Sequence, residues 1–183
     1  MTQVPIALLP GNQIYQNFIK ERPVEARRVI DTTYAMSILE ANAPDQAERL
    51  KLRFGGYTDP KKIAWWRTQE LQHGAGLSDF LELFQDTPNR DQKFELFTDI
   101  INLEPVRHLT IGSLSAHRRA ESITQEYYSD LVRLFPDTQI AEFARKVEKE
   151  EKKHEEFFEE WENAVSQDWT WFDRVKVFLC GMQ

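Results

Sequence analysis

Four histidines are present, His73, His108, His117 and His154. Two of them stand three residues after a glutamate, in Glu70-Leu-Gln-His73 and Glu151-Lys-Lys-His154. On an α-helix, residues i and i+3 differ by about 4.5 Å in rise and about 60° in rotation, so both side chains can reach one metal ion from the same face. The competing reading of each pair is a solvated helix face, and placement argues against it. One stripe reads Ile63, Trp66, Glu70, His73, Leu77, Phe80, Phe84, and the other reads Ile140, Phe143, Val147, Glu151, His154, Phe158, Trp161. In each, the Glu and His interrupt an apolar face. Glu148, Glu150, Glu155 and Glu159 fall mostly off the second stripe and read as surface charge. A buried carboxylate is costly unless something pairs with it, and a cation beside an inward histidine is the economical partner.

Two more helices should then each supply a carboxylate at the same depth. Mirroring Glu70 across the turn near Gly56 gives Glu40, and mirroring Glu151 across the turn near Pro136 gives Glu121. Glu40 to Glu70 and Glu121 to Glu151 are both 30 positions, while Glu40 to Glu121, Glu70 to Glu151 and His73 to His154 are all 81. Glu121 lies on the stripe Leu114, His117, Glu121, Thr124, Tyr128, Leu131, whereas Glu126 shares its face with Arg119, Ser122, Ser129 and Arg133 and points to water. The stripe of Glu40 is Val29, Thr33, Met36, Glu40, with Asp31 and Glu48 as rivals. The candidate metal ligands are therefore Glu40, Glu70, His73, Glu121, Glu151 and His154. Oxygen-rich donors with two imidazoles and no thiolate suit iron or manganese, though not uniquely.

The elements that must hold these residues are helices. An N-terminal arm or short helix runs up to Pro23. Helical patterns cover 24–42 and resume over 45–54, with Pro44 either kinking one long helix or dividing two. Further helices are expected over about 61–86, from Pro105 to Phe135 and over about 138–166, with a short one at 91–103. Gly55-Gly56 with Asp59-Pro60, and Pro136-Asp137, mark turns. The expected fold class is all-α: a single domain over 1–183, with a four-helix bundle at about 24–165 and a crossover between its second and third helices. The tail 166–183 is expected to form an amphipathic helix bearing Trp171, Phe172, Val175, Phe178, Leu179 and Met182. It is expected to pack on the bundle as a lid, or else to form a homodimer contact; membrane contact is the least favoured use.

Composition narrows the class. The chain has 183 residues, of which 41% are hydrophobic, and a net charge of −7. That charge disfavours general nucleic-acid binding. Cys180 is the single cysteine, which excludes an internal disulfide and a CxxC motif. No secretory signal or membrane span is read in the sequence, and a cytoplasmic protein is expected.

Together, Glu40, Glu70-x-x-His73, Glu121 and Glu151-x-x-His154 resemble the ferritin-like superfamily of di-iron carboxylate proteins, which includes rubrerythrins and non-haem di-iron oxygenases. The resemblance covers roughly 24–165. It departs at Pro44, one turn after Glu40, and in lacking the CxxC pairs of a full-length rubrerythrin. It implies two iron ions, or Mn/Fe or Mn/Mn pairs. Glu70/His73 would hold one metal and Glu151/His154 the other, with Glu40 and Glu121 bridging or terminal. It also implies an oxidoreductase: an oxidase or oxygenase that uses O₂ or peroxide on a small organic substrate, with an electron donor if an oxygenase. A ferroxidase or peroxidase, and a non-enzymatic helical interaction protein, are the alternatives. His117, Tyr128 and Trp66 are the candidate catalytic residues. His117 lies one turn before Glu121 and could be a ligand, an outer partner or a proton donor, or else a core-edge histidine bonded to a backbone carbonyl. Trp66 and Tyr128 could relay electrons or quench radicals, or else be aromatic core packing on their helix stripes. His108 has no assigned role.

Overall fold

A computed structural model describes residues 12–83 and 109–168. Among the described residues there is no strand. The helices are α1 (Asn12–Glu21), α2 (Pro23–Ala41), α3 (Ala43–Phe54), α4 (Pro60–Glu82), α5 (Ile111–Leu134) and α6 (Gln139–Asp168), with a 3₁₀ turn at Gly55–Tyr57 between α3 and α4. None of these helices is long and apolar enough to cross a membrane. The short helix expected at 91–103, His108 and the aromatic tail beyond Asp168 lie outside the described residues.

Prolines and caps set the boundaries. Pro23 and Pro60 open α2 and α4, where a missing N–H leaves no helical bond unmade. The Asp59 carboxylate accepts from Lys61 N at 2.8 Å and caps α4. Pro44 falls in the first turn of α3, so it divides α2 from α3 across Asn42 rather than kinking one long helix. The N-terminal arm is helical from Asn12, and its Tyr15 packs on Phe80 and Phe135 with ring centroids 5.4 and 5.2 Å away. One boundary differs from expectation. α5 begins at Ile111, not Pro105, because Thr110 is extended (φ −117°, ψ 173°) and its N–H donates to Ser113 Oγ at 3.2 Å. The turn into α6 uses Asp137 at φ 60°, a conformation that a short polar side chain tolerates.

Contacts fix the helix directions. Lys62 meets Glu160 and His73 meets Glu150, so α4 and α6 run antiparallel. Gln125 donates to Glu155 and Ser129 to Glu148, so α5 and α6 are antiparallel as well. α2 approaches α4 closely at Gly74, where an added Cβ would lie 3.1 Å from Ala41 N and 3.1 Å from Glu40 Cβ. Tyr127 Oη donates to Thr33 Oγ1 at 2.7 Å, joining α5 to α2.

The apolar core has two halves. One contains Tyr15, Leu77, Phe80, Tyr128, Leu131, Phe135 and Val147. The other contains Leu50, Phe54, Ile63, Trp66, Leu114, Phe157, Phe158 and Trp161. Along α4, Glu70 and His73 stand between Trp66 and Leu77; along α6, Glu151 and His154 stand between Val147 and Phe157. A polar layer thus separates the two apolar halves.

Candidate metal centre

The polar layer brings together all six predicted ligands. Glu40, Glu70, His73, Glu121, Glu151 and His154 are each at most 5% exposed. They come from four helices: Glu40 from α2, Glu70 and His73 from α4, Glu121 from α5, and Glu151 and His154 from α6. The Glu151 carboxylate lies between the two imidazoles. Its Oε1 is 2.9 Å from His73 Nδ1 and its Oε2 is 3.1 Å from His154 Nδ1. His154 Nδ1 also lies 2.7 Å from Glu70 Oε1 and 3.7 Å from Glu121 Oε2. His73 Nδ1 lies 3.9 Å from Glu40 Oε2. Ligand atoms of Glu70, His73, Glu151 and His154 all fall within 4.8 Å of one another. The rivals of Glu40 lie elsewhere: Asp31 is on the surface bonded to Arg27 at 3.0 Å, and Glu48 is exposed beside Lys51.

Electrostatics fit a cation site. Burial and the neighbouring Glu70 push the Glu40 carboxyl well above the usual carboxylate range. Burial and the charge of Glu121 raise Glu70 to about 8. Burial and Glu40 raise Glu151. Glu121 is the exception: burial pushes it up, but the nearby His154 and Glu151 outweigh burial and hold it low. The histidines diverge. Burial pulls His73 down to about 4, whereas pairing with Glu121 and Glu151 overcomes burial and lifts His154 to about 9. Protons on the carboxyls and on His154 thus offset a cluster that would otherwise be strongly anionic. They do not satisfy it. Despite these close approaches, Glu40 Oε2, Glu70 Oε1, Glu151 Oε1 and His73 Nδ1 are buried and make no well-directed hydrogen bond. Buried polar atoms are normally partnered, and four such atoms facing one centre suit cations that would replace the protons.

The other singled-out residues surround this layer. Tyr128 is fully buried, its hydroxyl donates to Glu40 Oε1 at 3.4 Å, and burial with the nearby Glu40 keeps it protonated. The Trp66 indole stands beside the Glu70 carboxyl, its buried N–H makes no well-directed hydrogen bond, and its ring packs 5.1 Å from Phe158. His117 donates from Nδ1 to Ser113 O at 2.7 Å and packs 5.2 Å from Phe158, which places it in the aromatic layer beside the cluster.

Three residues near the centre were not legible as such in the sequence. Glu150, read as surface charge, accepts from His73 Nε2 at 3.1 Å and is only 15% exposed. Gln69 accepts from His154 Nε2 at 3.0 Å. The Trp65 ring meets His154 edge-on at 5.0 Å. Positions 69 and 150 do carry a signal: they share the 81-residue offset of the ligands.

Comparison of the chain with protein-family models, with curated proteins and with solved structures finds no match.

Proposed function

We propose that this chain is a non-haem di-metal carboxylate protein of the ferritin-like type, acting as an oxidase or oxygenase on a small organic substrate with O₂ or peroxide. The observation that carries the reading is the Glu151 carboxylate set between two imidazoles and joined by three more carboxylates, with four buried polar atoms of this cluster unsatisfied. Helix directions support the architecture. α4 and α5 both run antiparallel to α6. Leu83, just past α4, belongs to one apolar half and Leu109, just before α5, to the other, as a crossover along a four-helix bundle requires.

The contacts regroup the pairs read from the sequence: His73 Nδ1 faces Glu151 and Glu40, and His154 Nδ1 faces Glu70 and Glu121, so on this reading His73, Glu40 and Glu151 would hold one metal and His154, Glu121 and Glu70 the other, with Glu70 and Glu151 near both imidazoles. Bound iron or manganese would supply redox chemistry with oxygen or peroxide. The chain does the rest. Leu77 and Tyr128 on one side, and Trp66, Leu114 and Phe158 on the other, exclude water. Tyr128 holds a proton at its hydroxyl against Glu40.

The same close packing gives a second reading its footing. Tyr128, Leu77, Leu114 and Phe158 are at 0% exposure beside the ligands. Such walls favour small reactants, as in a ferroxidase or peroxidase. Anaerobic loading with Fe(II) and then mixing with O₂ tests both. Oxidation of about two irons per chain, faster than in a Glu70→Ala/Glu151→Ala control, is expected, because six protein ligands fit two metals. Continued oxidation of many irons per chain would favour the ferroxidase. Oxidation no faster than in the control would overturn both.

A further inference from the structure

Two polar side chains hold the imidazoles from behind. His73 Nε2 donates to Glu150 Oε2 at 3.1 Å, and His154 Nε2 donates to Gln69 Oε1 at 3.0 Å. Each of these residues directly precedes the glutamate of one Glu-x-x-His segment and bonds the histidine of the other segment. Gln69 on α4 holds His154 of α6, and Glu150 on α6 holds His73 of α4. Both bonds leave Nδ1 facing the carboxylates. The same device is therefore built twice, at the 81-residue offset that relates the ligands, with one difference: the acceptor is a neutral amide in one half and a carboxylate in the other.

That difference has a chemical consequence. A carboxylate accepting from an imidazole N–H makes the opposite ring nitrogen a stronger donor to a metal than an amide oxygen does. A negative charge also stands directly behind His73, where His154 has a neutral amide. Glu150 is mostly buried, and Lys146 Nζ lies 3.6 Å from its other oxygen on a side chain that is 66% exposed. The lysine is largely in water and offsets that charge only in part.

We propose that Glu150 and Gln69 make the two metal positions unequal, so that the position served by His73 binds a divalent cation more tightly than the position served by His154. This rests on the di-metal reading above. Glu150 and Gln69 are positioning residues that act through the imidazoles.

The test is stepwise titration of the metal-free full chain with Co(II), monitored by calorimetry and by the visible absorption of the bound ion. Two steps are expected, with dissociation constants about tenfold or more apart, the scale on which outer partners tune metal affinity. Glu150→Gln places an amide behind both imidazoles; it should weaken the first step and bring the two together. Gln69→Glu should bring them together from the other side, by tightening the second. The exchanged double variant, Gln69→Glu with Glu150→Gln, should restore the separation, which loss of a merely structural contact would not do. Two equal steps in the parent chain would overturn the inference, and so would a separation unchanged in both single variants, since repulsion between the two cations would then account for it. A parent chain that binds no Co(II) would instead overturn the di-metal reading.

Discussion

Glu151 is the residue on which the two halves of the centre meet. Its pKa is raised by burial and by Glu40, so in the metal-free chain it prefers a proton, and with metal it must give that proton up. Glu151→Gln keeps the volume and removes the charge. The metal-free variant should be at least as stable as the metal-free parent above neutral pH, where the parent is forced towards a buried carboxylate. With Fe(II) or Mn(II) present the order should reverse, because the variant loses its metal. At free metal about a hundredfold above the dissociation constant, binding stabilises the parent by about 2.7 kcal/mol. Thermal melts of both proteins, with chelator and with metal, measure this crossing, and a variant whose melting point rises with metal as much as the parent's would contradict it.

At the scale of the element, α2 and α4 must approach closely for Glu40 to reach the polar layer. Gly74 permits this, because a Cβ there would press on Ala41 N, Glu40 Cβ and Ser37 O at 3.1–3.2 Å. Gly74→Leu should cost about 1–3 kcal/mol as overpacking and lower metal content by displacing Glu40. Unchanged melting and metal content would show that the approach is not needed. The same helices show what a sequence discloses and what it hides. The ligands were legible because inward glutamates and histidines interrupt apolar stripes, and because the turns at Gly56 and Pro136 set their depth. Glu150 and Gln69 were hidden because each lies about 100° around the helix from the glutamate it precedes, on a face that looks solvated until the neighbouring helix is in place. The start of α5 was misplaced for a related reason. Pro105 suits a helix start, but the extended backbone at Thr110, with its N–H taken by Ser113, fixes the boundary.

Across the whole molecule, a polar layer divides the core, and its protonation couples to stability. Among its groups with folded pKa values raised above their ordinary ones, Glu70 rises from 4.5 to about 8 and His154 from 6.5 to about 9. Each contributes stability to the metal-free fold that is fully present below its unfolded pKa and is lost as pH rises through the folded value. The two intervals overlap between 6.5 and about 8, so the metal-free protein should lose stability most steeply there and continue to lose it to about pH 9. Metal competes with the same protons, so the increment in melting temperature on adding metal should grow over that interval. Melts taken with and without chelator at several pH values test this, and an increment that shrinks with rising pH would contradict it.

On the proposed function, the six inward ligands would form a site for two cations, and the metal content of the protein measures this. Protein purified without chelator, then loaded anaerobically with Fe(II) or Mn(II) and freed of excess, should carry about two metal ions per chain by elemental analysis, as four carboxylates and two imidazoles on four helices would hold. Glu70→Ala and Glu151→Ala should each lower that number strongly. Metal content near zero in the parent, or content unchanged in both variants, would contradict the account.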